Sequence, residues 1–569
     1  MKLLWIRGLV ALLLLSLGCG PRQLEERGNE VIIRLAAEPD RLHPLLSVTG
    51  PSKQVELHLF APLLQFDPQS LALVPVLAKS LPEIKPLSEG PYQGGVAYTF
   101  ELREEATWDN GQAILATDYL FTIKALLNPE VPATPYRAYL NFLKDITVDP
   151  DNPRRFTVWT DRPYILAEAA LGNLEVYPAH FYDPEGWLEK YSVRELADPD
   201  RAARLNELDS KLQRFAEDFR SRARSQDPKQ LQGAGAYQLA AWEPGQRIVL
   251  QKKDHWWGAA LNPEETLLNA YPDQIIFKII PDVNAAVSLL KTSALDAMTG
   301  IFPEVYLDLQ KQAEMVQAYQ FFQANKLSYY YIGLNGNDSK LSDRRVRRSL
   351  AHLLDVDQII TTLLEGLAQR ITGPIHPLKP YHHQGLAPIE VDLAAAARLL
   401  TEAGWTDSNG DGTVDRMIDG QKTELELTFK YISNNPIAAD VGTLLKNNAQ
   451  KVGVKVLLEG KVFNTLIKEY RKRDFDMVYL AWIRPPGLDD LRQSWHSSGN
   501  VPGGSNRTGF GNPTSDAVID SIRTTYDPIK RKELYLRIQE LIYYEQPYIF
   551  LFTPLECMAV HRRFTTQPS

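Results

Sequence analysis

A chain of 569 residues is too long for one hydrophobic core, so two or three domains are expected. With 44% hydrophobic and 23% charged residues it has the composition of a folded globular protein, which excludes the disordered and fibrous classes. A net charge of −8 excludes the basic footprint of a nucleic-acid binder.

The first element is a leader. Lys2 and Arg7 flank an apolar run through Leu9, Val10 and Leu12 to Leu15, followed by Ser16, Leu17, Gly18 and Cys19. The run is too short to span a bilayer comfortably, so residues 1–19 are expected to be an export signal that is removed. Gly18–Cys19 resembles the lipobox of bacterial lipoproteins, with Ser16 standing where an aliphatic residue is usual. That resemblance implies lipid attachment at Cys19; the alternative is a plain secretory leader. Cys557 is the only other cysteine, so disulfides are not expected to hold the fold.

Short apolar runs with charged flanks predict strands at Val31–Ala36, Arg247–Gln251, Ile275–Ile280, Tyr329–Leu334, Leu425–Tyr431, Met477–Trp482 and Tyr548–Phe552. Helices with readable ends lie between them. One runs from Leu393 to Ala403 and stops at Gly404; others start after Asp343, Asp355 and the Asp527–Pro528 cap. Residues 190–230, rich in Arg, Asp, Glu and Gln with spaced leucines, are expected to form two exposed helices. Alternating strands and helices predict α/β layers.

Six ordered blocks carry a resemblance to the family 5 extracellular solute-binding proteins, the peptide-binding components of ABC importers. The early segment holds Glu38, Pro39 and Asp40. The stretch from Tyr98 to Leu126 follows, with a turn at Trp108, Asp109, Asn110 and Gly111 and helix-capping residues at Thr117 and Asp118. Then come Gly233–Gly258, Tyr271–Leu290, Tyr329–Asn335 with Arg345 to Arg347, and finally DFDMVYLAW at Asp474–Trp482, WHSS at Trp495–Ser498 and the block Asn506–Asp520. The Trp108–Gly111 motif is structural: Asn110 and Gly111 tolerate positive φ, and no chemistry is read from it.

The resemblance implies an α/β, bilobal, periplasmic-binding-protein-like fold with an extra α/β domain. It assigns residues 20–60, 230–290 and 515–569 to the first lobe, 61–229 to the extra domain and 291–514 to the second lobe. It also implies a monomer at the periplasm or cell surface that delivers a small-molecule or peptide ligand to ABC permease subunits, without a cofactor or catalysis; the alternatives are the same fold binding a sugar, an anionic metabolite or a nickel chelate, or acting as a solute sensor. The ligand-binding candidates are Ala481, Trp482, Ile483, Arg484, Asp489, Asp490 and Trp495, with Asn335 and Glu38 from the earlier blocks. In peptide-binding relatives an acid shortly after this strand pairs with the ligand's α-ammonium group. Here that position holds Pro485, so Asp489 or Asp490 would have to serve, while Arg484 suits a carboxylate or phosphate.

Rival readings rest on weaker patterns. His376, His382 and His383 could hold a metal, although adjacent histidines seldom converge on one ion. The DSNGDGTVD run at 407–415 looks like a calcium loop but has Ile418 where a bidentate acid belongs, so an Asx-rich turn is expected. Ser288 to Lys291 fits SxxK without its companion motifs, and GxSxG, HExxH and GxxxxGK[ST] are missing.

Overall fold

The computed structural model describes residues 28–261, 266–268 and 270–564. The leader and Cys19 lie outside the described residues, and no helix among those described is long and apolar enough to cross a membrane.

Hydrophobic β-branched runs remote in sequence find each other to make the largest sheet, of eight strands. Glu30–Leu35 pairs parallel with Gln274–Ile279, placing Val31 beside Ile275 and Ile33 beside Phe277. Arg247–Lys252 and Tyr237–Glu243 extend one side. Ala297–Met298, Phe552–His561 and Tyr319–Asn325 extend the other, and Ala368–Arg370 pairs with the start of Phe552–His561 as the eighth strand. A second sheet of five strands runs in the order Lys455–Lys461, Glu426–Ile432, Met477–Ile483, Ser328–Leu334 and Tyr548–Phe550. One face buries Ile332, Leu334, Leu427, Phe429 and Met477 against Val441 and Leu445 of the helix Pro436–Lys451.

Two crossings join these sheets. Lys326 and Leu327 link Tyr319–Asn325 in the first to Ser328–Leu334 in the second, and Leu551 links Tyr548–Phe550 to Phe552–His561. The chain therefore passes from one sheet to the other at 326–327 and again at 551. Residues 297–325 pair with the first sheet, whereas the helices Pro513–Thr524 and Pro528–Glu545 lead into a strand of the second. The crossing at Leu551 falls inside a continuous apolar stretch, Tyr548–Phe552, where only the pairing partner changes.

A third unit lies between Leu64 and Gln226, with a four-stranded antiparallel sheet in the order Glu83–Pro86, Val96–Glu101, Arg155–Thr160 and Leu143–Val148. The Trp108 indole donates to Asp118 (3.1 Å), whose carboxylate also takes the Leu115 N–H, and Gly111 has φ of 80°. This lock fixes the start of the helix Ala116–Leu127, whose cap residue is Leu115. Residues 190–230 depart from two exposed helices. They form four short ones, and Ser210–Phe219 buries Leu212, Phe215 and Phe219, the two phenylalanines meeting Phe121 edge-on at 5.8 and 6.5 Å. Its phenylalanines lie one turn apart, which outweighs the charged surroundings. The caps read at Asp343, Asp355 and Asp527 each accept backbone N–H groups.

His43, ahead of this unit in the chain, is fully buried against it, with Nδ1 3.0 Å from the Tyr177 hydroxyl and its ring edge-on to Phe219. Burial, helped by nearby Arg41, pushes its pKa from 6.5 down to about 3. The unfolded chain therefore binds the proton more readily, and the stability His43 contributes is lost as pH falls from 6.5 toward 3. By pH 5 the loss is about 2 kcal/mol. A His43→Phe variant is expected to flatten the stability–pH slope between pH 6 and 4 by about 1.4 kcal/mol per unit, measured by urea unfolding at stepped pH. A parallel, merely offset profile would refute this.

Candidate functional site

The strand Met477–Ile483 is paired along its whole length on one side, from Leu334↔Met477 to Ser328↔Ile483. On the other, its parallel pairing with Glu426–Ile432 covers Phe429↔Met477 and Lys430↔Val478, after which that neighbour continues with Lys455–Lys461 alone. Residues 479–483 thus present an open edge among the described residues. The Arg484 N–H donates to Leu327 O (2.7 Å), extending the paired ladder by one step. Backbone groups alternate in direction along an antiparallel strand, so Leu480, Trp482 and Arg484 turn theirs toward the ladder. The N–H and C=O of Ala481 and Ile483 then face the open edge, and Ile483 is 80% exposed.

Two cavities meet at this edge. One of about 410 Å³ has Leu480, Trp482, Tyr331, Tyr470, Arg471 and Arg507 in its wall. The other, about 810 Å³, lies between the lobes, bounded by residues 300–305 and 554–557 of the first and 362–365 and Asp440 of the second. Tyr330, Ile432, Asn435 and Tyr479 line both, making one cleft beside the hinge. The smaller cavity is lined by two arginines and no carboxylate. The larger holds Glu304, Glu365, Asp440 and Glu556, the last paired with Lys326 at 2.9 Å. The Tyr479 side chain is 2% exposed and its hydroxyl finds no hydrogen-bond partner among the described residues. Burial raises its pKa well above the ordinary value, so it stays a donor.

Of the residues chosen from sequence, Ala481, Trp482 and Ile483 sit on this edge, with the Trp482 indole 3.4 Å from the Tyr548 hydroxyl. Arg484 and Asp489 are engaged with each other. The guanidinium donates to Asp489 Oδ1 through Nε (2.8 Å) and Nη2 (2.5 Å). Lys379 Nζ (2.6 Å) and the Tyr381 hydroxyl (3.1 Å) take Oδ2. Asp489 is completely buried and saturated, which corrects the expectation that it could reach a ligand ammonium. Burial pulls the Lys379 pKa down and Asp489 offsets this in part; for Arg484 the same burial is outweighed by Asp489 and Tyr329, and the pKa rises.

Asp490 accepts from the Tyr164 hydroxyl and from Arg523 Nε, both at 3.0 Å, bridging the extra domain to the second lobe. Trp495, a ligand-binding candidate from sequence, is 1% exposed and packs on Tyr548 (4.8 Å) and Phe510 (5.6 Å) in the core. Asn335 donates to the carbonyls of Arg473 and Phe475, fixing a turn. Glu38 accepts from the Trp242 indole (2.9 Å) and Gly245 N–H (3.0 Å), clamping the first-lobe hairpin.

Lys379, Arg507, Tyr470 and Tyr479 were not singled out from sequence. Lys379 stands in the loop noticed only for its histidines. Those histidines do not converge: His376 meets Thr553, His382 the Ile375 carbonyl and His383 Glu540. No group of three His, Cys, Asp or Glu among the described residues is placed to hold a metal. In the 407–415 turn, Asp407 accepts the Gly410 and Gly412 N–H groups and Asp415 accepts from Ser408. Ser288 Oγ donates to Asn284 O on the exposed face of the helix Val283–Lys291.

Two α/β lobes joined by two strand crossings around a cleft define a solute-binding protein of the periplasmic type. The family model described as bacterial extracellular solute-binding proteins, family 5 Middle, matches residues 72–502, and the chain belongs to that family, whose members bind solutes and are not enzymes. Its relatives include the oligopeptide-binding protein AppA of Bacillus subtilis, 24% identical over 540 residues spanning 94% of this chain and 88% of AppA. The fold is similar to the structure of AppA with a nonapeptide (TM-score 0.66, 22% identity, 95% and 96% of the two chains covered). It is equally similar to NikZ of Campylobacter jejuni with Ni(L-His) (TM-score 0.68, 22% identity, 94% of each chain).

Proposed function

We propose that this protein is the exported, substrate-capturing component of an ABC importer, and that its ligand is an extended peptide or peptide-like solute laid along the open edge of Met477–Ile483. The observation that carries this reading is the pair of outward-facing backbone groups at Ala481 and Ile483 opening onto two cavities. A strand added there gains main-chain hydrogen bonds whatever its sequence, and its alternate side chains turn to opposite sides. The lobes close over it and the Tyr164–Asp490–Arg523 link ties the extra domain to the second lobe. The Gly18–Cys19 pair supports a lipid anchor at Cys19, delivery to permease subunits follows from the family, and a monomer suffices because the cleft is built within one chain.

Ile483→Pro removes one of the two N–H groups aimed at the ligand, leaves the ladder to Ser328–Leu334 intact and suits an already extended backbone. A random pentapeptide library passed over immobilised protein is expected to be retained about tenfold less by this variant, the loss of one well-made hydrogen bond of about 1.4 kcal/mol. Unfolding midpoints of the two proteins should match. Equal retention would refute binding at this edge.

A further inference from the structure

This inference rests on the peptide-binding reading and specifies what one side of the cleft selects. Arg507 stands in the wall of the 410 Å³ cavity with its guanidinium over the Tyr470 ring, 4.8 Å from the centroid, which fixes the plane of the group. Its Nη1 makes a long hydrogen bond of 3.4 Å to Ser505 O, and its Nε is buried without a partner. Neither Arg507 nor Arg471, which shares that wall, forms an ion pair among the described residues, and no carboxylate lines the cavity. Two further features lie in the wall shared with the larger cavity. The Tyr479 hydroxyl is unpartnered, and Asn435 caps the 16-residue helix Pro436–Lys451, turning the positive end of its dipole toward the cavity. The carboxylates Glu304, Glu365 and Asp440 are confined to the larger cavity, so an anion is attracted to one side of the strand edge and repelled from the other.

We propose that the smaller cavity is an anion subsite in which Arg507, with Arg471 and Tyr479, receives a carboxylate of the ligand: an Asp or Glu side chain, or the C-terminus of a short peptide. A guanidinium presents parallel donors that match two carboxylate oxygens, and a half-buried one with an orphaned N–H gains most from such a partner. The apolar remainder of the wall, Leu480, Trp482 and Tyr331, packs the stem of that side chain.

The test is the composition of the pentapeptides eluted from the immobilised full-length protein. Wild type is expected to return Asp and Glu enriched about threefold over the input. Arg507→Gln should reduce that enrichment by at least half, whereas Arg507→Lys, which keeps the charge, should retain most of it. Arg471 is exposed, so Arg471→Gln supplies the same readout if the Arg507 variant fails to fold. Acidic residues at input frequency in the wild-type eluate, or enrichment unchanged in both glutamine variants, would overturn the subsite while leaving peptide binding intact. A wild-type protein that retains no library at all would overturn the peptide reading and the subsite with it.

Discussion

Asp489→Ala is expected to destabilise the second lobe by about 3–5 kcal/mol, because it leaves two buried cations without a counter-charge. The side chains of Lys379 and Asp489 are 1% and 0% exposed, and that of Arg484 is 12% exposed. Asp489 is the only acid that either cation pairs with among the described residues, although Lys379 also donates to the Pro485 and Gly487 carbonyls. Lys379→Met should cost clearly less, since Asp489 then keeps Arg484 and the Tyr381 hydroxyl. Urea unfolding followed by tryptophan fluorescence separates the cases. Equal midpoints for Asp489→Ala and wild type would show that the cluster is not held by this carboxylate. The cluster also pins loop 376–383 against loop 484–490, directly beyond the open edge, so its loss should loosen the ligand site.

Asp490→Ala is expected to weaken ligand binding about ten- to a hundredfold without altering any residue of the cleft. Asp490 joins Tyr164 to Arg523, the Arg523 carbonyl accepts the Ile165 N–H (2.9 Å), and the Tyr98 and Tyr526 hydroxyls meet at 2.6 Å. These contacts tie the extra domain to the second lobe and exist only when the two are together. Removing the central one lowers the population of the closed form, and apparent affinity falls in proportion to the competent fraction. Coupling free energies between distant groups of this kind are about 1–3 kcal/mol. Library retention measures the affinity, and small-angle scattering should show a larger radius of gyration for the variant with ligand present. Retention equal to wild type would mean that closure does not depend on this bridge.

Local signals carried much of the fold into the sequence. The Trp108–Gly111 turn with Asp118, the caps at Asp343, Asp355 and Asp527, and the apolar strands all act within a few residues, where spacing alone decides the outcome. The strand Met477–Ile483 was legible for the same reason. Pairing across long separations was not: Lys379 and Asp489 are 110 positions apart, and nothing near either announces the other. Asp489 and Asp490 are neighbours, yet one is sealed under Arg484 and the other faces the extra domain, a division set by tertiary contacts. The hinge was hidden because Tyr548–Phe552 reads as one strand, while Leu551 is where it passes from one sheet to the other. Arg507 lay within a recognisable block, but its orphaned Nε is a property of the assembled cavity wall.

The central claim is that the open edge of Met477–Ile483 holds an extended peptide-like solute between the lobes. Native mass spectrometry of the mature protein, purified without refolding, tests it most directly by weighing the complex and identifying the solute after release. The account predicts a mixture of short peptides in one-to-one complexes, rich in Asp and Glu. A single sugar, metal chelate or other non-peptide solute would leave the fold and family in place and contradict the account of what the cleft is built to hold.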